Sequence, residues 1–225
     1  ARTWMEAKAQ AAAESGVAET MCEMCARFYD LQWMTGTGGA LSVRSNGVVY
    51  VTASGVQKER QGPRHVFRYV EECGTELPRP DQDLEGDGGL PRLKVSSCLP
   101  IFRSIYRARR AGAVIHTHSI HAMMVTKAYA SEFVTSHMEM VKGVPGHGYS
   151  STLRVPIIAN QPHEHLLEPD VARVLEEDPE CHAVLVRNHG VFVWGKSLEQ
   201  AKTMCECLDY LFQAALLQRT TKSHL

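Results

Sequence analysis

The chain has 225 residues, of which 44% are hydrophobic and 22% charged, proportions typical of a globular protein with one substantial core. Its formal net charge of −1 gives no global positive field, which argues against nucleic acid or an anionic membrane as a partner. No apolar run approaches the length of about 18 residues that a membrane-spanning helix needs, and the first ten residues lack the apolar core of a secretory signal.

The cysteines indicate the redox compartment. There are seven, an odd number, and they are scattered along the chain. Reduced thiols in the cytoplasm fit this distribution better than a disulfide framework does. Residues 71–93 are rich in proline, glycine and acids, which is typical of a mobile connection rather than of a domain boundary. We therefore predict a cytoplasmic protein with a single domain over residues 1–225.

The first part of the chain predicts a long helix followed by a β-hairpin. An alanine-rich helical pattern extends from about residue 4 to residue 33, and the glycine-rich turn TGTGGALS follows it. Two β-like runs, residues 40–44 and 48–53, flank Asn46-Gly47, a dipeptide that strongly favours a tight hairpin turn.

The remainder alternates helical patterns with short apolar runs that read as buried strands. Ser197 has the side chain of an N-cap, with Gln200 three residues further on. Mixed hairpins and helices of this kind predict an α/β fold whose sheet is at least partly antiparallel and covered by helices. The predicted helices are residues 98–110, 121–129 and 197–218, and the predicted strands are residues 113–115, 155–158, 183–186 and 191–194.

A pair of histidines closes the strand predicted at residues 113–115, in the sequence AVIHTHSIHA. Two residues that are two apart share one face of a strand but point apart on a helix. His116 and His118 can therefore converge on one zinc ion at the strand end, with about 2.0–2.1 Å to each nitrogen. The alternative is a pair of ordinary polar residues that close a strand, and the pair alone leaves both open.

Two further residues favour a metal-dependent enzyme. His189 lies in a turn between two apolar runs in VLVRNHGVFVW, where a third imidazole can reach the first pair. Three protein ligands and an open position are typical of catalytic zinc. Glu139 stands in an otherwise apolar stretch, SHMEMVKG, and a buried carboxylate needs a partner or a purpose. The alternatives are a turn residue at position 189 and a surface carboxylate at position 139.

Glycine and serine turns indicate anion binding. TGTGGALS and TASGVQKE offer backbone amides that no side chain obstructs, and KVSSC lies just ahead of a predicted helix whose N-terminal amides suit a phosphate. Neither GxGxxG nor a Walker motif is present, so a nucleotide is not indicated. The candidate phosphate ligands are Thr37, Gly38, Gly39, Ser54, Gly55, Ser96 and Ser97.

The order of these motifs resembles the class II aldolase and adducin family over nearly the whole chain. The resemblance is carried by GTGGxxS, ASGVQKE, SSC, GAVIHTHS, HMEM, VLVRNHGVFVWG and AKTMCECLDYLF. It implies a three-layer α/β/α fold around a mostly antiparallel central sheet. It also implies homotetramers with active sites at subunit boundaries and a small sugar phosphate as substrate.

The resemblance also implies roles for individual residues. Aldolases of the family carry Glu directly after the paired serines and Asn at position 39, whereas this chain has Cys98 and Gly39. Both departures are shared with a dehydratase branch of the family, in which Cys98 would lie at the substrate and Glu139 would be the general acid/base. The resemblance assigns zinc to His116, His118 and His189, and leaves as bystanders His121, His163 and His165.

The expected reaction is therefore zinc-dependent loss of water from a ketose 1-phosphate that carries a methylthio group. Two enzymatic alternatives remain, an aldolase or a 4-epimerase that acts on another sugar phosphate. An adducin-like assembly module without a metal is the alternative outside enzymes. Cys98 also has two possible roles, substrate contact or a fourth zinc ligand.

Overall fold

A computed structural model describes residues 4–78 and 93–222, with side chains from residue 16 onward and up to residue 221. It divides into two compact units, Ala1–Ser96 and Ser97–Leu225. Most of the connection predicted over residues 71–93 lies outside the described residues. The single domain over residues 1–225 stays a prediction. No helix in the described ranges combines the length and the apolar composition that crossing a membrane requires.

The first unit contains one long helix and short antiparallel strands. Its elements are α1 (Trp4–Asp30), β1 (Ala40–Ser45), β2 (Val48–Ser54), β3 (Val66–Val70), β4 (Glu76–Leu77) and β5 (Lys94–Val95). The strands pair in the order β4-β3-β2-β1, and β5 pairs with the end of β2. Asn46 and Gly47 take φ values of 51° and 74° between β1 and β2, which confirms the predicted hairpin.

Helix α1 ends three residues earlier than predicted, at Asp30. Gln32 takes the left-handed φ of 61°, which no helix can continue through. The amides of Trp33 and Met34 both donate to the carbonyl oxygen of Phe28, at 2.8 and 3.2 Å. The centroids of the Trp33 and Phe28 rings are 5.3 Å apart. Trp33 therefore packs on the helix, as its place in the helical pattern suggests, although the backbone has already turned back.

The second unit alternates helices and strands. Its elements are α2 (Leu99–Ala108), β6 (Ala113–Thr117), α3 (Ile120–Ala128), β7 (Glu132–Thr135), β8 (Leu153–Ile158), α4 (Glu168–Glu177), β9 (Ala183–Val186), β10 (Gly190–Gly195) and α5 (Leu198–Lys222). Within the unit the strands pair in the order β6-β10-β9-β8-β7, and β8 with β9 is the parallel pair. The prediction of a sheet that is partly antiparallel is confirmed within each unit.

The strand pair β6 and β10 positions the histidines. Both strands are buried along their whole length, and helix α5 packs against both. Phe192 on β10 pairs with His116 on β6, and the two rings stack with centroids 4.0 Å apart. Glycine is required at position 190 because a Cβ there would overlap the carbonyl oxygen of Thr117. His189 therefore directly precedes Gly190, whose backbone packs on the end of β6.

Candidate metal centre

The structure brings His116, His118 and His189 together. His116 is buried near the end of β6, His118 follows the strand, and His189 lies in the turn between β9 and β10. The Nε2 atom of His118 lies 3.0 Å from Nε2 of His116 and 3.0 Å from Nε2 of His189. The three imidazoles thus present the same nitrogen to one point, as a shared metal ion requires.

Hydrogen bonds on the far side of two rings fix their orientation. Nδ1 of His116 lies 3.1 Å from the carbonyl oxygen of Val191, and Nδ1 of His189 lies 3.1 Å from Oδ1 of Asn160. Both oxygens accept only, so each Nδ1 carries the proton and donates it. Nε2 of each ring is then the nitrogen left to bind a metal ion at the common point, an arrangement typical of metal-ligating histidine.

The turn that carries His189 is held by helix α3. Asn188 takes a left-handed φ of 56°, and its amide donates to Oγ1 of Thr126 at 2.9 Å. The guanidinium of Arg187 donates to the carbonyl oxygens of Thr126 and Ala130. These contacts fix the backbone on the N-terminal side of His189, and Gly190 fixes it on the other side.

The spacing of the nitrogens fits a metal ion. A tetrahedral ion that binds imidazole at about 2.0–2.1 Å holds its nitrogens about 3.3 Å apart. The nitrogens of His118 and its two neighbours are 3.0 Å apart, close to that value. Lone pairs at this distance repel one another unless positive charge lies between them. Burial, and then the charge of His116, lower the pKa of His189 although Glu164 opposes them, which favours the neutral ring that a metal binds.

Glu164 belongs to this site, although the sequence analysis did not identify it. It begins the short 3₁₀ helix Glu164–Leu167, ahead of α4. Its Oε1 lies 3.1 Å from Nε2 of His116, its Oε2 lies 3.6 Å from Nε2 of His189, and its side chain is 15% exposed. Burial alone raises the pKa of the carboxyl, but hydrogen bonding to His116 and positive charge at both imidazoles outweigh burial and lower it to about 2. Glu164 is therefore ionised at neutral pH.

Cys98 reaches the site through that carboxylate. The residue precedes α2, is 3% exposed, and has its Sγ 3.4 Å from Oε1 of Glu164. Cys98, His116 and Glu164 form a second group of potential ligand atoms that lie within 4.8 Å of one another. Substrate contact by Cys98 stays a prediction.

Glu139 lies in a different environment from the one its apolar neighbours indicate. It begins the 3₁₀ helix Glu139–Gly143, its side chain is 71% exposed, and it forms an ion pair of 2.5 Å with Lys142. It is a member of neither potential ligand group among the described residues. Its role as general acid/base stays a prediction.

The three histidines that were expected to be bystanders have other neighbours. His121 pairs with Asp209, with 2.9 Å between Nδ1 and Oδ2. His163 and His165 stack on each other, with ring centroids 5.8 Å apart, on either side of Glu164. Among the described residues none of the three is in a potential ligand group.

The first unit joins two of the predicted anion-binding turns. Lys58 is 1% exposed, and its Nζ donates to the carbonyl oxygens of Thr37 and Val56, each at 3.1 Å. Thr37 and Ser54 are exposed, and Gly39 and Gly55 take left-handed φ values of 72° and 73°. The ammonium of Lys58 therefore holds the turns TGTGG and ASGV together through their backbones.

The paired serines differ in exposure. Ser96 is buried and its amide donates to the carbonyl oxygen of Thr52 at 3.1 Å, whereas Ser97 is exposed. Gly38 donates its amide to the carbonyl oxygen of Thr35 at 3.1 Å. Phosphate binding by these residues stays a prediction.

A comparison with protein families decides the family. The model of the Class II Aldolase and Adducin N-terminal domain matches residues 19–216. The chain belongs to the class II aldolase and adducin family. The resemblance found in the sequence is thereby confirmed.

Three relatives with similar sequences carry the same enzyme name. The chain is 46% identical over 202 residues to a probable methylthioribulose-1-phosphate dehydratase of Dictyostelium discoideum, covering 86% of this chain and 84% of the relative. It is 46% identical to the methylthioribulose-1-phosphate dehydratase of Gallus gallus and 45% identical to that of Mus musculus. Each of these alignments has 201 residues and covers 86% of this chain and 80% of the relative.

Two solved structures of aldolases share the fold. L-fuculose-1-phosphate aldolase from Thermus thermophilus matches with a TM-score of 0.68 at 22% identity, over 91% of this chain and 96% of that chain. A sugar-phosphate aldolase from Thermotoga maritima matches with a TM-score of 0.60 at 13% identity, over 91% and 95% of the two chains. The predicted class II aldolase-like α/β fold is confirmed.

Proposed function

We propose that this protein is a zinc-dependent dehydratase that converts 5-methylthioribulose 1-phosphate to 2,3-diketo-5-methylthiopentyl 1-phosphate in methionine salvage. The observation that carries the proposal is the 45–46% identity to methylthioribulose-1-phosphate dehydratases over most of both chains. The facing nitrogens of His116, His118 and His189 add the ligand set that such a lyase needs.

Zinc is the metal that this ligand set favours. Imidazole nitrogens and a carboxylate are common zinc ligands, and three histidines around one point match a frequent catalytic arrangement. When bound, zinc would polarise the C2 carbonyl of the ketose and stabilise negative charge on its oxygen. His116 and His189 would keep their orientation through the hydrogen bonds that their Nδ1 atoms donate.

We assign proton transfer to Glu139. Its carboxylate would take the proton from C3 of the substrate and return a proton to the hydroxyl that leaves C4. The resulting enol tautomerises to the 2,3-diketone. General acid/base catalysis typically contributes 10²–10⁴-fold, which corresponds to about 3–5 kcal/mol of activation free energy.

The phosphate of the substrate would bind to backbone amides and hydroxyls of the glycine and serine turns. Cys98 would contact the substrate near its carbonyl end or diol. Cys98→Ala is expected to change KM, and an unchanged KM with unchanged zinc content and activity would contradict this role. The residues proposed to bind the phosphate are Thr37, Gly38, Gly39, Ser54, Gly55, Ser96 and Ser97.

The proposed function is tested by turnover. Purified protein is mixed with 5-methylthioribulose 1-phosphate, formation of the diketone or its enol is followed by absorbance, and zinc is measured in the same sample. Zinc-dependent dehydration supports the proposal. Bound zinc without dehydration contradicts it, and an assay for retro-aldol products then tests for an aldolase. Protein that binds no zinc contradicts it in favour of an adducin-like assembly module.

The role of Glu139 has a matched control. Glu139→Gln is expected to lower kcat by 10²–10⁴-fold with zinc content unchanged, because it removes the proton acceptor but no metal ligand. Glu132→Gln is the control, since Glu132 is likewise a surface carboxylate in an ion pair, here with Arg154. A Glu139→Gln rate within tenfold of the wild type would exclude the assigned role.

We further propose that the protein acts in the cytoplasm as a homotetramer. None of the seven cysteines, all of which lie in the described ranges, forms a disulfide, which suits a reducing compartment. Light scattering of the purified protein measures its mass in solution. A monomeric mass would contradict the tetramer.

A further inference from the structure

The carboxylate of Glu164 lies against two of the three histidines. One oxygen is 3.1 Å from Nε2 of His116, and the other is 3.6 Å from Nε2 of His189. The side chain is 15% exposed, so solvent reaches only a small part of it. A buried carboxylate at this place is expensive unless positive charge compensates it.

Hydrogen bonds on the far side of two rings leave their Nε2 atoms facing the carboxylate. His116 donates from Nδ1 to the carbonyl oxygen of Val191, and His189 donates from Nδ1 to Asn160. With Nδ1 already engaged, Nε2 of each ring is the atom that faces Glu164, whose two oxygens only accept. At 3.1 and 3.6 Å these contacts need positive charge between nitrogen and oxygen, and one metal ion would supply it to both rings at once.

Two distances from the Glu164 carboxylate, one from each oxygen, are close to those between neighbouring ligands of a zinc ion. An ion that binds nitrogen and carboxylate oxygen at about 2.0–2.2 Å holds these ligand atoms about 3.3–3.5 Å apart. The distances from Glu164 to two of the histidine nitrogens, 3.1 and 3.6 Å, lie on either side of that range. The remaining ligand atoms, on His116, His118 and His189, are separated by 3.0 Å along two edges.

We infer that Glu164 is the fourth protein ligand of the metal ion in the substrate-free enzyme. This inference rests on the metal-binding part of the proposed function and deepens it. Cys98 then lies behind the ligand, where its Sγ contacts Oε1 of Glu164 at 3.4 Å. An oxygen of the substrate would take the place of Glu164 when it binds, since a zinc ion with four protein ligands offers no open position.

A crystal structure of the zinc-loaded, substrate-free protein tests the inference directly. We expect an oxygen of Glu164 at about 2.0–2.2 Å from the zinc ion. Zinc on three histidines with water or Cys98 Sγ in the fourth position would overturn this inference and leave the proposed function standing. Protein that takes up no zinc would overturn both.

Zinc affinity gives an independent measurement. Competition with a chromogenic chelator is expected to show that Glu164→Gln binds zinc at least tenfold more weakly than the wild type. Loss of a hydrogen-bond partner behind a ligand already weakens metal binding by about 10–100-fold, and loss of a direct ligand should cost no less. Glu168→Gln is the matched control, since this carboxylate lies four residues away and accepts from Ser104 instead. Equal affinities of wild type and Glu164→Gln would overturn the inference, as would a larger loss in Cys98→Ala.

Discussion

Replacement of Gly190 by alanine tests whether backbone packing positions the metal ligands. A Cβ at position 190 would overlap the carbonyl oxygen of Thr117 and lie 3.0 Å from its carbonyl carbon and 3.2 Å from Cα of His118. Ordinary contacts of a Cβ are 3.4–4 Å. The opposing atoms are backbone and cannot rotate away, so β6 and β10 must separate by several tenths of an ångström or more.

The expected loss of stability and of zinc affinity depends on which backbone segments the new methyl group displaces. Inserting a methyl group into a closely packed region typically destabilises a protein by about 1–3 kcal/mol. The displaced segments both carry ligands, because His118 follows Thr117 and His189 precedes Gly190. We therefore expect Gly190→Ala to lower the free energy of unfolding of the metal-free protein by about 1–3 kcal/mol and to weaken zinc binding by about 10–100-fold.

Two measurements check this prediction. Urea unfolding of the metal-free protein gives the stability, and chelator competition gives the zinc affinity. Gly148→Ala is the control, because the nearest atom to a Cβ there is Oγ of Ser151 at 3.8 Å. If Gly190→Ala matched the control in both measurements, the argument that this glycine sets the ligand positions would be refuted.

Three further predictions concern single residues. Lys58→Met is expected to raise KM about tenfold with a smaller change in kcat, because it removes two charge-assisted hydrogen bonds of about 1.5–3 kcal/mol each from the proposed phosphate turns; steady-state kinetics with unchanged KM would contradict this. Asn160→Ala should weaken zinc binding about tenfold by releasing Nδ1 of His189, as measured by chelator competition. Hydrogen bonds with Thr75 lower the pKa of exposed Cys73, so alkylation at neutral pH followed by mass spectrometry should modify this thiol before the buried ones.

Local patterns predicted the elements that carry the histidines. The β-branched run before His116 is strand β6, and the turn at His189 joins two buried strands. In both cases the signal is short-range, because a side-chain period of two and a turn residue beside glycine suffice. The three rings converge because β6 pairs with β10. The spacing of the histidines in the sequence could show only that such convergence was possible.

Three elements that were not predicted nevertheless carry local sequence signals of their structure. Strand β3 is VFRYV and strand β7 is EFVT, both short and rich in aromatic and β-branched residues. Helix α4 places Pro169 in its first turn and buries Val171, Val174 and Leu175, at helical spacing. All three elements therefore agree with the local rules.

Glu164 could not be found in this way. It stands in NQPHEHLLEP, a polar stretch without apolar periodicity, and flanking histidines at 163 and 165 were the only unusual feature. Its partners are 48 residues before it, at His116, and 25 after it, at His189. Only the folded chain brings a carboxylate from the short helix ahead of α4 to nitrogens on β6 and on the turn before β10. Long-range placement of this kind leaves no mark on a local pattern.

The segment His118-Ser119-Ile120-His121 holds the metal ligand His118 in place from its C-terminal side. Ser119 caps helix α3, because its Oγ accepts from the amides of His121 and Ala122, and the same hydroxyl donates to Asp209 of α5. Nδ1 of His121 lies 2.9 Å from the other oxygen of Asp209. His118 is therefore held between β6 on one side and a capped helix start fixed to α5 on the other. The third histidine of IHTHSIH thus serves the fold, and its pairing with Asp209 explains why it lies near the metal ligands without joining them.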